Sequence, residues 1–323
     1  MKKLLRLIMF LIFVICASPC SVNALTEGDW EYVIQDNEIT ITNYIGDNSA
    51  LVIPEYIKGC PVVAIKIDDN RDFRQKIESI YLPETVREIG EYCFWGCNKL
   101  KSVNFPESLK SIGSKAFAGC PLETVDLSHV ETLGSYAFDG CATEYISLPK
   151  TITSIPDGLF ESSKLKHINI PNTVERIGSY AFSGSELRTI VIPGSVEVIG
   201  ATAFGACKNL KSVILSYGTK TLETPRVHTK NTGTFVGCSA LEAIYIPETV
   251  TDIPRWFVYN LNNVIVYCSQ NSYAEEFCKK EGVSYLIDNS INSSIHVLYN
   301  NERISFHEYG QNPEIIDGRT CFI

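Results

Sequence analysis

The chain has 323 residues, and 45% of them are hydrophobic, which is enough to fill a long continuous core. Its 28 Lys and Arg residues against 37 Asp and Glu residues give a formal net charge of −9 at pH 7. This acidic balance argues against nucleic-acid binding, because such binding needs a basic face that neutralises phosphates.

The chain opens with a segment that is typical of an export signal. Lys2, Lys3 and Arg6 form a positive region, and the apolar stretch 7–15 that follows is too short to span a bilayer. Small residues precede a possible cleavage point after Ala24. The sequence therefore predicts a signal peptide over residues 1–24. It predicts a secreted, extracellular or cell-surface protein that does not span a membrane after cleavage.

Residues 25–67 are rich in aromatic and β-branched side chains, such as Trp30, Tyr32, Ile39 and Ile41. They lack the regular spacing of the residues that follow. We expect this segment to form an irregular first coil or hairpin that caps the array.

A sequence repeat, which we call the phrase, then recurs about every 22 residues over residues 68–266. It consists of an alternating apolar pair and Pro, a second apolar pair and Gly, and then Ala-Phe-x-Gly-Cys and Leu. One copy runs from Val103 to Leu122 and another from Ile190 to Leu210. Such self-similarity predicts a repeat solenoid, mainly β, in which right-handed coils stack and form a parallel sheet.

Two positions of the phrase predict what fills the core. One carries an aromatic residue in eight copies and predicts a file of stacked rings: Phe94, Phe117, Phe138, Phe160, Phe182, Phe204, Phe235 and Phe257. The other carries Cys97, Cys120, Cys141, Cys207 and Cys238, with Ser163 and Ser185 in two copies. An exported protein with ten cysteines after residue 24 suggests disulfides. The repeated placement instead favours a ladder of packed thiols, although bridges between neighbouring coils are geometrically possible.

A helical segment is expected to end the array within residues 267–287. Ser272 is a suitable N-cap, Glu275 and Glu276 lie in the first turn, and Gly282 is a suitable stop. The polar residues 288–294 then predict a linker.

Together, the phrase, the aromatic-rich opening and the closing Ser-Tyr-Ala-Glu-Glu helix resemble the BspA-type leucine-rich repeat family of secreted microbial surface proteins. The resemblance covers about residues 28–287. It implies a curved, leucine-rich-repeat-like solenoid and a role in adhesion or partner binding. It supplies no catalytic residues and no cofactor.

The tail, residues 295–323, carries a second resemblance. Its pattern around Ile304, Pro313 and Gly318 resembles the opening of the copper amine oxidase N-terminal-like domain. That family implies no oxidase chemistry here, because no cluster of His ligands surrounds His296 or His307. Only a part of such a domain is present, so we expect a truncated product or a fragment.

No other motif predicts catalysis or metal binding. The five His residues are scattered, and Asp126 with His129 is better explained as solvated neighbours on a coil edge than as part of a catalytic triad. We therefore expect neither an enzyme nor a bound cofactor or metal.

An insertion of eight extra residues, which lies within 223–234, is the first candidate binding feature. It carries Arg226, His228 and Lys230 on an otherwise acidic protein. Insertions in solenoids map to surface loops and often to binding faces. The alternative is a tolerated surface loop.

The second candidate binding feature is the strand position that lies between the two buried residues of the alternating apolar pair. Alternation should turn this position outward. It is polar in the first copies and then apolar, in the order Asn104, Asp126, Ser147, Asn169, Val191, Ile214, Tyr245 and Ile265. The last four predict a partner contact, because exposed apolar stripes mark interaction sites. The alternative is that the cap or the tail covers them.

We therefore favour a binding module for an extracellular protein or glycan, with no nucleic-acid partner and with the oligomeric state open. The alternatives are a non-catalytic targeting or spacer region of a longer exported enzyme, and a passive spacer beside the cell wall.

Overall fold

A computed structural model describes residues 24–67, 71–223, 233–259, 261, 263–289, 295–299, 302–306, 313–316 and 319–322. The predicted signal region up to residue 23 lies outside these ranges. The insertion residues Arg226, His228 and Lys230 also lie outside them.

The chain begins with antiparallel strands and then changes to parallel stacking. The first strands are β1 (Leu25–Glu27), β2 (Trp30–Gln35) and β3 (Glu38–Tyr44), which pair in chain order. Asp36 and Asn37 adopt left-handed φ values of 52° and 61° between β2 and β3, as a tight hairpin turn requires. Strand β3 then pairs in parallel with β6 (Cys60–Ile65), which also forms a hairpin with β5 (Tyr56–Ile57).

The following coils contribute strands to two faces of the solenoid. We name the first the strand face; it consists of β4 (Ala50–Val52), β7 (Ser79–Tyr81), β9 (Ser102–Val103), β12 (Tyr145–Ser147), β14 (His167–Asn169), β16 (Thr189–Ile192), β18 (Ser212–Leu215), β20 (Ala243–Ile246), β21 (Ile265–Cys268) and β22 (Tyr285–Ile287). The second face consists of β8 (Glu88–Ile89), β10 (Ser111–Ile112), β11 (Thr132–Leu133), β13 (Ser154–Ile155), β15 (Arg176–Ile177), β17 (Val198–Ile199) and β19 (Thr221–Leu222). The ladders within both faces are parallel and in register from coil to coil. The predicted mainly β solenoid is therefore confirmed, with about ten coils.

Proline ends the strands of the strand face and starts the turn toward the second face. The amide of Val196 donates to the carbonyl of Pro193 at 3.0 Å, and Leu109 does the same to Pro106. Since proline has no N–H, it stops the ladder while its carbonyl still closes the turn. The apolar residue three positions later, such as Val196 or Leu109, is thereby buried.

The predicted file of phenylalanines is confirmed. All eight rings are fully buried. The centroids of neighbouring rings lie 5.3 to 6.5 Å apart. The file continues at the N-terminal end through Phe73 and Tyr44, and at the C-terminal end to Phe277, whose ring lies 5.3 Å from that of Phe257. One aromatic spine thus joins both ends of the array.

Beside the rings runs the predicted ladder of thiols. In three coils the thiol donates to the carbonyl of the phenylalanine one coil earlier, at 2.9 to 3.1 Å: Cys120 to Phe94, Cys207 to Phe182 and Cys238 to Phe204. Burial raises the pKa of Cys141 to about 12, so this thiol is chemically quiet. All nine cysteines whose side chains are described are free. The packed-thiol interpretation is confirmed for the five cysteines of the ladder, which are all buried, and the alternative of bridges between coils is not.

Ser163 occupies the ladder position but leaves a hydroxyl buried without a hydrogen-bond partner among the described residues. Such a group costs about 1–3 kcal/mol. We expect Ser163→Cys to raise the free energy of unfolding by about 1 kcal/mol in urea denaturation, because the longer thiol reaches the carbonyl that the neighbouring thiols use. Ser185→Cys is the control, since the hydroxyl of Ser185 already lies 3.4 Å from the Cys207 sulfur. A larger gain at Ser185 than at Ser163 would contradict this account.

Two kinds of glycine recur along the array for different physical reasons. Gly119 adopts a left-handed φ of 75°, which L side chains rarely adopt. Gly113 has ordinary backbone angles, but a Cβ there would lie 2.5 Å from the amide nitrogen of Glu91 in the neighbouring coil. The second kind therefore allows two coils to approach closely, rather than only turning the chain.

Only two helices occur among the described residues, α1 (Arg71–Lys76) and α2 (Tyr273–Glu281). Helix α2 has the predicted caps. The Ser272 side chain accepts from the amide of Glu275, and Gly282 is left-handed. Beyond it, the described backbone of the tail forms two antiparallel hairpins, β23 (Ile295–Tyr299) with β24 (Glu302–Phe306), and β25 (Pro313–Ile316) with β26 (Arg319–Phe322).

Candidate interaction surface

The register of the strand face corrects the position of one candidate residue, Ile265, in the predicted row. Val191 pairs with Ile214, and Ile214 pairs with Tyr245. Tyr245 in turn pairs with Tyr267, so Tyr267 is the next residue of this row, whereas Ile265 lies opposite Ala243. The sequence prediction was wrong here because a shift of two residues preserves the alternation of inward and outward side chains.

Two further candidate residues, Ile214 and Tyr245, are buried. Only 3% of Ile214 and 4% of Tyr245 are exposed, although both occupy outward strand positions. Each has a large side chain on either side in the register, and the ring of Tyr245 stacks on that of Tyr267 at 4.6 Å. The expectation that these two residues form an exposed stripe was therefore wrong. Val191 and Ile265 are half-buried.

Other outward side chains of the strand face are far more exposed. The exposed fractions are 67% for Val52, 57% for Tyr81 and 55% for Tyr145. Val52 and Tyr81 are opposite each other in the register of β4 and β7. The rings of Tyr145 and His167 stack across β12 and β14, with centroids 5.5 Å apart and planes 10° apart. Tyr145 and His167 were missed in the sequence, because they occupy the outward position two residues before the one that was followed.

Charged groups lie beside this stack. The Lys166 ammonium forms an ion pair with the Glu144 carboxylate at 2.5 Å. The pKa of His167 is lowered by its partial burial, and further by the cations Arg188 and Lys166. Both effects favour the neutral imidazole, which can both donate and accept hydrogen bonds.

A second aromatic group, Tyr92, Trp95 and Tyr136, lies on the turns that carry the buried phenylalanines and is at least partly exposed; we call it the turn face. The ammonium of Lys115 lies 5.6 Å from the Tyr92 ring centroid and 5.4 Å from that of Tyr136. The guanidinium of Arg74 lies 4.9 Å from the Trp95 ring. Each of these rings is therefore already in a cation–π contact within the chain.

The Asp126 carboxylate, considered above for a triad, accepts a hydrogen bond from the amide of Ser128 at 2.9 Å. This bond lowers the pKa of Asp126 and closes the turn after the strand.

Within the described ranges, no three His, Cys, Asp or Glu residues come together in a way that could hold a metal ion. In the same residues, neither helix is long and apolar enough to cross a membrane.

The repeats match a known family. The model of the BspA type leucine rich repeat region matches six copies, over residues 66–143, 131–265 and 225–301. The chain belongs to this family. No curated protein matches this BspA-type chain in sequence. The resemblance of residues 295–323 to the copper amine oxidase N-terminal-like domain stays a prediction.

Two solved structures are similar to this BspA-type chain. A leucine rich cell surface protein from Faecalibacterium prausnitzii is 24% identical, with a TM-score of 0.55 and 77% of each chain covered. A leucine-rich repeat protein from Bacteroides ovatus is 20% identical, with a TM-score of 0.38, and covers 82% of this chain and 100% of its own. The first similarity agrees with the solenoid fold.

Proposed function

We propose that this BspA-type protein is exported, remains outside the cell or on its surface, and binds an extracellular protein or glycan through its strand face without catalysis. Membership of the family and the cell-surface neighbour support this location. The observation that carries the proposal is the exposure of Val52, Tyr81 and Tyr145, each more than half accessible, on a regular parallel surface.

Physical reasons favour the strand face over the turn face. Exposed rings supply contact area at a small cost in conformational entropy, and Tyr, Trp and Arg dominate binding energy in interfaces. The turn-face rings Tyr92, Trp95 and Tyr136 are occupied by cations of the same chain. Tyr81 instead presents more than half of its surface to solvent.

The test is a screen of the full chain against a glycan array and a panel of extracellular matrix proteins. For the probes that bind, we expect the double variant Tyr81→Ala with Tyr145→Ala to weaken affinity roughly tenfold or more, since each anchor contributes about 1 kcal/mol or more. The thermal transition should hardly change, because both side chains are exposed.

Tyr92→Ala with Trp95→Ala is the matched control on the turn face, with 45% and 46% of these side chains exposed. The control should retain binding. Loss of binding in the control together with normal binding in the strand-face variant would contradict the proposal.

A second candidate is favoured by the two hairpins β23–β24 and β25–β26 that follow the array. In this candidate the array is a targeting or spacer region beside another module of a longer exported protein. If no probe of the screen binds the full chain, this candidate is preferred.

A further inference from the structure

Three cations occupy the same edge of the strand face in three successive coils. Lys166, Arg188 and Lys211 each follow a buried leucine and precede strands β14, β16 and β18. The amide of Lys211 donates to the carbonyl of Arg188 at 2.8 Å, which shows that the two residues are equivalent positions of adjacent coils. Because neighbouring strands lie about 4.8 Å apart, the three positive charges recur at a short interval. We call them the basic strip.

Elsewhere along this edge the charges are balanced. The Lys101 ammonium lies 3.3 Å from the Glu123 carboxylate of the next coil. Within the basic strip, Lys166 pairs with Glu144, whereas neither Arg188 nor Lys211 has an ion pair among the residues that the structure describes. Like charges side by side are unfavourable in a sheet. Glu144 precedes the basic strip and Glu242 follows it at the same edge position. The basic strip is therefore a positive segment of three coils between two carboxylates, on a chain of net charge −9, and an anionic partner would neutralise it.

The surface beside the basic strip is polar and aromatic. The stacked rings of Tyr145 and His167 lie at its start, and hydroxyl and amide groups lie on the outward positions of the same strands: Ser147, Asn169, Thr189 and Ser212. Two aliphatic residues lie at outward positions of these strands; Ile214 is buried and Val191 is half-buried. The core of a protein–protein interface is depleted in charge and enriched in apolar groups, so this surface fits such a partner poorly.

We propose that the basic strip, together with Tyr145 and His167, binds an acidic polysaccharide that carries carboxylate or sulfate groups. The exposed part of the Tyr145 ring contacts the sugars, His167 and the hydroxyl groups bond to sugar hydroxyls, and the three cations contact the anionic groups. A linear polymer suits an edge on which the same position recurs in each coil. This inference rests on the proposed function and narrows the partner of the same face.

The test uses the full chain and heparin as the probe, with affinity measured by titration calorimetry at several salt concentrations. We expect Lys166→Gln, Arg188→Gln and Lys211→Gln together to weaken heparin binding roughly tenfold or more and to flatten its dependence on salt, because fewer counterions are released. The matched control removes three exposed cations elsewhere, by Lys58→Gln, Lys99→Gln and Lys280→Gln. It changes the net charge equally and should bind nearly as the parent does.

Equal weakening in the two triple variants would show that only overall charge matters, which overturns the proposal. Polyglutamate and neutral dextran are the comparison probes, and both should bind more weakly than heparin. If polyglutamate binds as tightly as heparin and Tyr145→Ala changes neither, the site selects acidic chains without selecting sugars, and the proposal is wrong. If the strand-face tyrosines are needed for a ligand from the screen but the basic strip is not, the proposed function stands and this inference fails.

Discussion

Replacing Phe182 with alanine is expected to lower the free energy of unfolding by about 3–5 kcal/mol. The Phe182 ring is fully buried, with Phe160 at 5.8 Å on one side and Phe204 at 5.3 Å on the other. The backbone fixes these neighbours, because the Phe160 amide donates to Ala181 and the Phe182 amide donates to Ala203, both at 2.8 Å. The coils therefore cannot collapse into the cavity, and the full cost remains. Urea denaturation followed by circular dichroism measures it.

Tyr217→Ala is the control for this substitution. Its side chain is 56% exposed, so the change should be within about 0.5 kcal/mol. A loss at Phe182 as small as that at Tyr217 would show that the ring file does not hold the coils together.

Phe277→Ala in helix α2 is expected to cost about 3 kcal/mol and to loosen the last coils first. The Phe277 ring is 8% exposed and lies edge-on against Phe257 at 5.3 Å, so it closes the C-terminal end of the ring file. In a stack of coils each unit contacts only its neighbours, and the terminal units need a cap. Urea denaturation gives the cost, and hydrogen exchange shows faster exchange in β20 and β21 than in β7.

The same helix supplies the matched control. Tyr273 is 42% exposed, so Tyr273→Ala removes an aromatic ring from α2 without opening the end of the core. Similar losses for the two variants would contradict a capping role for Phe277 and would attribute the effect to helix α2 as a whole.

The repeat itself made the core predictable. A period of about 22 residues places Phe117 and Phe138 at one position of successive coils, so parallel stacking must bring their rings together. The same logic applies to Cys120 and Cys141. The caps of α2 were also predictable, because Ser272 and Gly282 satisfy backbone groups by local geometry alone.

The surface was predictable only in part. Near Ile265 the array ends, and an apolar residue on both sides of each candidate strand position allowed the register to slip by two. The burial of Ile214 depends on side chains of adjacent coils, which alternation within one strand does not reveal. The basic strip consists of Lys166, Arg188 and Lys211, whose significance depends on which carboxylates lie within reach. The positive insertion, with Arg226, stays a prediction.

Hydroxyl-radical footprinting of the full chain, with and without saturating heparin, tests most directly whether the strand face is the binding surface. Tyr145 and Tyr81 on the strand face, and Tyr92 and Trp95 on the turn face, are similarly exposed and similarly reactive, so they report on the two faces equally. Our account predicts that heparin protects Tyr145 and leaves Tyr92 and Trp95 as reactive as before. Protection of Tyr92 and Trp95 with none at Tyr145 would contradict it.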